Sequence, residues 1–354
     1  MKQKTIILIV LLIAIVGVIY YLEPESQYVP NQAEIELKDG TFPKAPELTG
    51  ITGYLNVEED IQLSDYKGKV VLIDFWTYTC INCIRTLPYL TSWDEKYRDD
   101  GLVIIGVHAP EFAFEKKREN VQNAIEKYDI KYPVVQDNDM LTWRAYQNRY
   151  WPAKYVVDKD GFIRYTHFGE GKYEETEHKI QELLAETGKD IEEETTQLPA
   201  KQRFQTTPEL YAGYKLALPR GQNLANKEGL QPDKTITYMV PQEVPIDTII
   251  LNGTWQSNID DLTAHDDGIL LLIFTAAEVN IVADAPKPME VDVFIGEKPI
   301  TKEHAGKDVQ FDGERAFILV DEPDLYNVVQ GEYQRNLLSF RVHEGFSFNA
   351  FTFG

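Results

Sequence analysis

Val70-Val71-Leu72-Ile73-Asp74-Phe75-Trp76-Thr77-Tyr78-Thr79-Cys80-Ile81-Asn82-Cys83-Ile84-Arg85-Thr86-Leu87-Pro88 is the stretch from which the rest of the chain can be read. Its first seven residues are β-branched, aliphatic or aromatic apart from one carboxylate, which predicts a fully buried strand. Ile84, Leu87, Leu90, Trp93 and Tyr97 then recur at helical spacing, so a helix is expected over residues 84–98, kinked at Pro88. Cys80 and Cys83 fall at the strand-to-helix turn, and they are the only cysteines among the 354 residues.

Such a turn sits at the carboxyl end of a strand, where open α/β sheets place their chemistry, and the amides of the following helix favour negative charge beside it. Cys80 is expected to be the more exposed and more acidic thiol, and so the attacking nucleophile. Cys83, about one helical turn further in, is placed to resolve a mixed disulfide. Asp74 is the odd residue of the buried strand: a carboxylate there is costly unless used, and near a buried thiol it can exchange the proton of Cys83. Other readings of the cysteine pair stand beside a redox dithiol. A structural disulfide closing so short a loop constrains the unfolded chain by only about 2 kcal/mol. Half a zinc site needs two more ligands, yet the six histidines are scattered without a close pair. Unpaired core thiols suit an exported domain poorly.

Asp74-Phe75-Trp76 ahead of Cys80-x-x-Cys83, with Pro88 five residues after the second cysteine, resembles the active-site segment of thioredoxin-fold oxidoreductases. Gly106-Val107-His108-Ala109-Pro110-Glu111, Tyr132-Pro133-Val134-Val135, Tyr150-Trp151-Pro152-Ala153 and Val157-Asp158-Lys159-Asp160-Gly161 follow in the order of the membrane-tethered TlpA-like branch. Residues 103–112 and 143–170, with the C-terminal region, look most like the extracytoplasmic part of DipZ-type proteins. The likeness runs from about Thr49 onward and lacks the multi-span electron-carrying domain of those proteins. It implies that Pro152 is a cis-proline beside the dithiol and that Glu111 is an acidic residue near the cysteines. A carboxylate so placed would raise the thiol pKa values, against the helix dipole; a solvated loop charge is the other reading. Trp76, Trp151 and Pro152 are the expected substrate-binding residues, and Trp143, Tyr146 and Tyr150 either join a rim for a polypeptide or pack around the proline loop. His108 is expected to be structural. No cofactor and no metal are called for.

Met1-Lys2-Gln3-Lys4 precedes an uncharged apolar run from Ile6 to Leu22, just inside the ~17–25 residues that span a bilayer. The two lysines place the amino end in the cytoplasm. No small-x-small cleavage site follows, so an uncleaved single-pass anchor over residues 1–22 is favoured over a signal peptide. The bulk of the chain is then extracytoplasmic. The 57 acidic residues against 35 basic ones, with a formal net charge of −22, exclude a nucleic-acid partner and electrostatic adhesion to anionic lipid.

Residues 23–47, polar and proline-rich, read as a tether. Residues 48–188 read as an α/β thioredoxin-like domain: an amino-terminal strand near Leu55, the buried strand and helix above, a second buried strand from Leu102 to His108, a helix from Glu115 to Tyr128, a strand at Pro133 to Gln136, a short helix from Leu141, a hairpin from Tyr155 to Phe168 turning at Lys159-Asp160-Gly161, and a closing helix from Tyr173 to Glu186. Residues 189–206 read as a linker. In residues 207–354 eight short strand-like runs separated by Gly, Pro, Asp and Asn predict an all-β sandwich. DipZ-type proteins carry a carbohydrate-binding-module-like domain here, and Trp255, Tyr238, Tyr333 and Phe346 are candidate sugar platforms, although a docking or shielding role is favoured.

These readings converge on an extracytoplasmic thiol-disulfide oxidoreductase that reduces disulfides in exported proteins or apocytochromes, drawing electrons from a thiol-transferring membrane donor. A polysaccharide or protein ligand of the second domain is a further expected partner. An oxidase or isomerase of the same fold, a thiol peroxidase suggested by Thr77-x-x-Cys80, and a surface-binding module with a vestigial redox domain are the alternatives.

Overall fold

A computed structural model describes residues 36–58, 60–199 and 204–354. The expected anchor over residues 1–22 and part of the tether lie outside the described residues. Among the described residues no helix is long and apolar enough to cross a membrane. Leu37–Lys38 and Phe42–Pro43 pair with each other as a small antiparallel ribbon.

From Ala45 onward the chain first builds a six-stranded sheet. Strands β1 (Gly53–Leu55), β2 (Val70–Trp76), β3 (Leu102–His108), β4 (Val134–Gln136), β5 (Ala153–Val157) and β6 (Ile163–Phe168) lie in the order β1-β4-β3-β2-β5-β6. β2 is parallel to β3 on one side and antiparallel to β5 on the other, so both of its faces need apolar cover. All seven of its residues are buried. Side chains alternate across a strand: Val70, Leu72 and Trp76 join one core cluster, whereas Val71, Ile73 and Phe75 join another with Trp143, Tyr146 and Tyr155.

Helix α1 (Ile81–Tyr97) leaves the carboxyl end of β2 and buries Cys83, Leu87, Leu90, Trp93 and Tyr97 along one stripe, continuing through Pro88. It starts three residues before the apolar periodicity because Cys80 caps it. Helix α2 is Arg118–Lys127, α3 is Leu141–Ala145 and α4 is Tyr173–Ala185. Glu115, expected to open a helix, instead sits in a separate 3-10 turn, Ala113–Lys116, and accepts from the backbone N–H groups at its start.

The C-terminal part is one 11-stranded antiparallel sheet. Its strands that bear on the site are β7 (Leu210–Tyr211), β8 (Gly268–Asp284), β9 (Asp324–Val342) and β10 (Ser347–Phe353). β8 pairs with β9 along its length, with Ile250–Ser257 near its start and with β10 near its end. Ile250–Ser257 also pairs with Leu262–Ala264, which pairs with β10, so the sheet closes back on the apolar core. The eight runs read from the sequence each overlap a strand, the runs 235–240 and 248–252 only in part. Two of them, 269–276 and 278–283, are one strand: a register shift between Ala276 and Glu278 breaks the alternation that would have joined them.

Candidate active site

The two cysteines are unpaired; Cys80 caps α1 and Cys83 lies in its first turn. The backbone N–H of Cys83 donates to Cys80 Sγ at 3.2 Å, an N-cap contact in which a thiol takes the place of the usual hydroxyl. Cys83 is buried and Cys80 partly exposed. Burial pushes both thiols up, Cys80 well above its ordinary value, with Cys83 and the charge of Glu209 adding to the rise. In this conformation burial works against the acidic Cys80 that the helix terminus alone would favour.

Beneath the pair, Asp74 lies directly opposite Lys154 across the β2–β5 ladder. Their charged atoms are 3.9 Å apart, and both side chains are essentially inaccessible to solvent. Burial drives the Asp74 pKa up to about 7 despite the lysine, and drives Lys154 down. Both charges act on Cys83, Asp74 raising and Lys154 lowering its pKa. The sequence reading missed Lys154.

Glu115, also missed, braces the cysteine loop from below. It accepts from Thr79 Oγ1 at 2.6 Å and from the backbone N–H groups of Glu111 and Phe112 at 2.6 and 2.9 Å. His108 is wholly buried, contacts Thr77 Oγ1 through Nε2 at 3.3 Å and stacks on Tyr78. Burial lowers its pKa to about 3, which keeps it neutral. Trp76 requires a correction: its ring is wholly buried and packs against Gly106, where an added Cβ would lie 3.0 Å from the indole nitrogen. It supports the loop from within and offers no surface to a substrate. Trp151 stays partly exposed, donating from Nε1 to the Ala109 carbonyl at 2.9 Å, and precedes Pro152 through a cis bond. Trp143 and Tyr146 are buried against Phe75, while Tyr150 is exposed.

Glu111 lies next to the cysteines. With Thr79, Cys80 and Trp151 it lines a cavity of about 40 Å³ whose other wall comes from the C-terminal part of the chain: Glu209, Tyr211, Val282, Ala350 and Thr352. Burial, then the charges of Glu115 and Glu209, lift the Glu111 pKa to about 8. Tyr211 donates to Glu209 at 3.2 Å and hydrogen-bonds Glu111. Of the four candidate sugar platforms, Trp255, Tyr238 and Phe346 are core residues. Tyr333 is exposed, but one face is stacked on Phe204 at 4.6 Å.

A parallel βαβ core, a dithiol at the start of the helix after the central strand, a buried carboxylate in that strand and a cis-proline directly after Trp151, which lines the cavity at Cys80, define the thioredoxin-like class of redox proteins. The family model described as AhpC/TSA family matches residues 43–166, and the one described as thioredoxin like C-terminal domain matches residues 207–354. The chain is 35% identical over 318 residues to Protein DipZ of Mycobacterium tuberculosis, a match covering 88% of this chain and 43% of that protein; it thus spans less than half the length of this relative. It is 32% identical over 143 residues to thiol-disulfide oxidoreductase YkuV of Bacillus subtilis, covering 40% of this chain and 95% of YkuV. The solution structure of a thioredoxin-like protein in the oxidized form is 30% identical, with 40% of this chain and 95% of that one covered and a TM-score of 0.38. The chain belongs to the thioredoxin-like thiol-disulfide oxidoreductases.

Proposed function

We propose that Cys80 is the nucleophile of a dithiol reductant acting on disulfides of exported proteins or apocytochromes, and that the chain works outside the cytoplasmic membrane. Residues 6–22 would be its anchor and a membrane thiol carrier its donor. The Cys80 thiolate attacks one sulfur of the substrate, expels the other as a thiolate and forms a mixed disulfide. Cys83, giving its proton to Asp74, then attacks Cys80 Sγ, releasing the second substrate thiol and leaving a Cys80–Cys83 disulfide. Glu111, protonated up to about pH 8, is a second proton store beside the pair, and Trp151, which lines the cavity, would offer the substrate a surface together with the adjoining Pro152.

The observation that carries this reading is the asymmetry of the two thiols, one capping α1 toward a cavity and the other buried over Asp74. Of the two, only Cys80 lines that cavity. Cys83→Ser is therefore expected to accumulate a mixed disulfide through Cys80 on incubation with a disulfide peptide, and Cys80→Ser to accumulate none, as read by mass spectrometry. Comparable trapping by Cys80→Ser would reverse the assignment. For topology, an enzyme reporter active only outside the cytoplasm, fused after Gly354, is expected to be active and membrane-bound; recovery of a soluble product beginning near Glu23 would show a cleaved signal instead.

A further inference from the structure

The cavity at Cys80 is too small for the substrates just proposed. A water molecule occupies about 30 Å³ in the liquid, so about 40 Å³ holds roughly one or two waters and no peptide. The obstruction is not the cysteine loop itself. Of the residues around the cavity, Glu209, Tyr211, Val282, Ala350 and Thr352 belong to the C-terminal part of the chain.

That part is held over the site by two kinds of contact. Ile81 and Phe112, which flank the cysteines and Glu111, are buried in the apolar cluster of the C-terminal sheet. Around them lie polar ties: Arg85 of α1 to Glu278 of β8 at 2.9 Å, Lys127 of α2 to Asp324 of β9, Tyr78 Oη to the Pro323 carbonyl at 3.1 Å, and the Ala113 N–H to Asp260 at 3.1 Å. Both ties come after the cysteine loop in sequence, Arg85 on the helix that the loop opens and Lys127 on α2.

We infer that the all-β domain is the specificity element of the dithiol, a cap that closes Cys80 to polypeptide disulfides while docked and admits them only when it lifts, with Arg85–Glu278 and Lys127–Asp324 as its ionic latches. The inference rests on Cys80 being the nucleophile. Exchange is then a two-step event, opening followed by attack, and a bulky disulfide reports the opening rate once its concentration makes attack fast. In attack, the Cys80 thiolate forms a bond to one sulfur of the reagent and the partner sulfur leaves as a thiolate, the thiol proton having passed to solvent.

The experiment uses the full reduced chain carrying Cys83→Ser, so that reaction stops at one adduct, mixed with increasing concentrations of a nitrobenzoate disulfide whose released thiolate is coloured. The rate is expected to level off at a plateau set by opening. Adding Arg85→Ala or Lys127→Ala is expected to raise that plateau by about five-fold each, the size of effect one partly buried ion pair has on an equilibrium. A rate strictly proportional to reagent at all concentrations, with both latch variants superimposed on the parent, overturns the cap while leaving the nucleophile intact. If no adduct forms at Cys80 by mass spectrometry, the nucleophile assignment itself fails, and the cap with it.

Discussion

Lys154→Met will leave the protein about as stable as its parent near pH ~4 and less stable by about 1 kcal/mol near pH ~8, because Asp74 loses the charge that lets it ionise near neutrality. Asp74 is the reason for the pH dependence. Its pKa in the fold is about 7 against an ordinary value of 3.8. A carboxyl raised in this way holds a proton that the unfolded chain has already released. The stability it confers is therefore fully present below about 3.8 and is lost as pH rises toward about 7. Lys154 is the charge that lowers the Asp74 value, so removing it raises that value further and extends the loss upward, at about 1.4 kcal/mol per pH unit for one proton. Near pH ~4 Asp74 is neutral with or without the lysine, and methionine fills the site without the cost of burying an ammonium. The double variant Asp74→Asn, Lys154→Met carries no charge in the pair and is expected to recover most of the loss near pH ~8. Urea denaturation of the three variants and the parent at several pH values makes the comparison. A Lys154→Met deficit that stays the same from acid to alkaline pH would mean that packing, not the Asp74 charge, is what the lysine serves.

The stretch from Val70 to Cys83 carried most of the fold because each of its signals is local. Seven apolar-dominated residues are needed where a strand has neighbours on both sides, and the sheet places β2 there. Leu102–His108 was legible for the same reason. Trp76 was misplaced although the information was present: period-two alternation puts it on the face of Val70 and Leu72, toward α1 and the core rather than toward solvent. Lys154 carried a weaker signal. It sits between Ala153 and Tyr155 in a short apolar strand, and only the β2–β5 register, not visible in either segment alone, sets it opposite Asp74. Glu209 and Tyr211 had no signal near the cysteines at all. They are more than a hundred residues downstream, and their place at Cys80 depends on how two domains dock, which neither domain's periodicity encodes. The same docking works against the acidic Cys80 that the helix terminus alone would favour: the helix terminus is local, while much of the cover over the thiol is not.

Asp74→Asn will slow the resolving step, the attack of Cys83 on the Cys80 mixed disulfide, by about 10- to 1,000-fold at neutral pH while changing the first attack far less. Two effects of the substitution oppose each other. Removing the Asp74 charge lowers the Cys83 pKa, since that charge raises it, and a fall of one unit would increase the thiolate fraction about ten-fold. Removing the carboxylate also removes the group placed to take the Cys83 proton, and a positioned general base contributes about 10²–10⁴-fold. The second effect is the larger, because Cys83 is buried and has no comparable route for its proton to water. The pH profile separates the two. With a pKa of about 7, Asp74 changes from acid to base across neutrality, so resolution in the parent should rise through an inflection near that value. In Asp74→Asn the inflection should disappear, leaving a rate that climbs only with ionisation of Cys83 itself. Rapid-quench measurement of substrate-thiol release from the preformed Cys80 adduct gives both rate and profile. Resolution as fast as the parent's, with the inflection intact, would reduce Asp74 to the charge partner of Lys154 and move the proton of Cys83 to another acceptor.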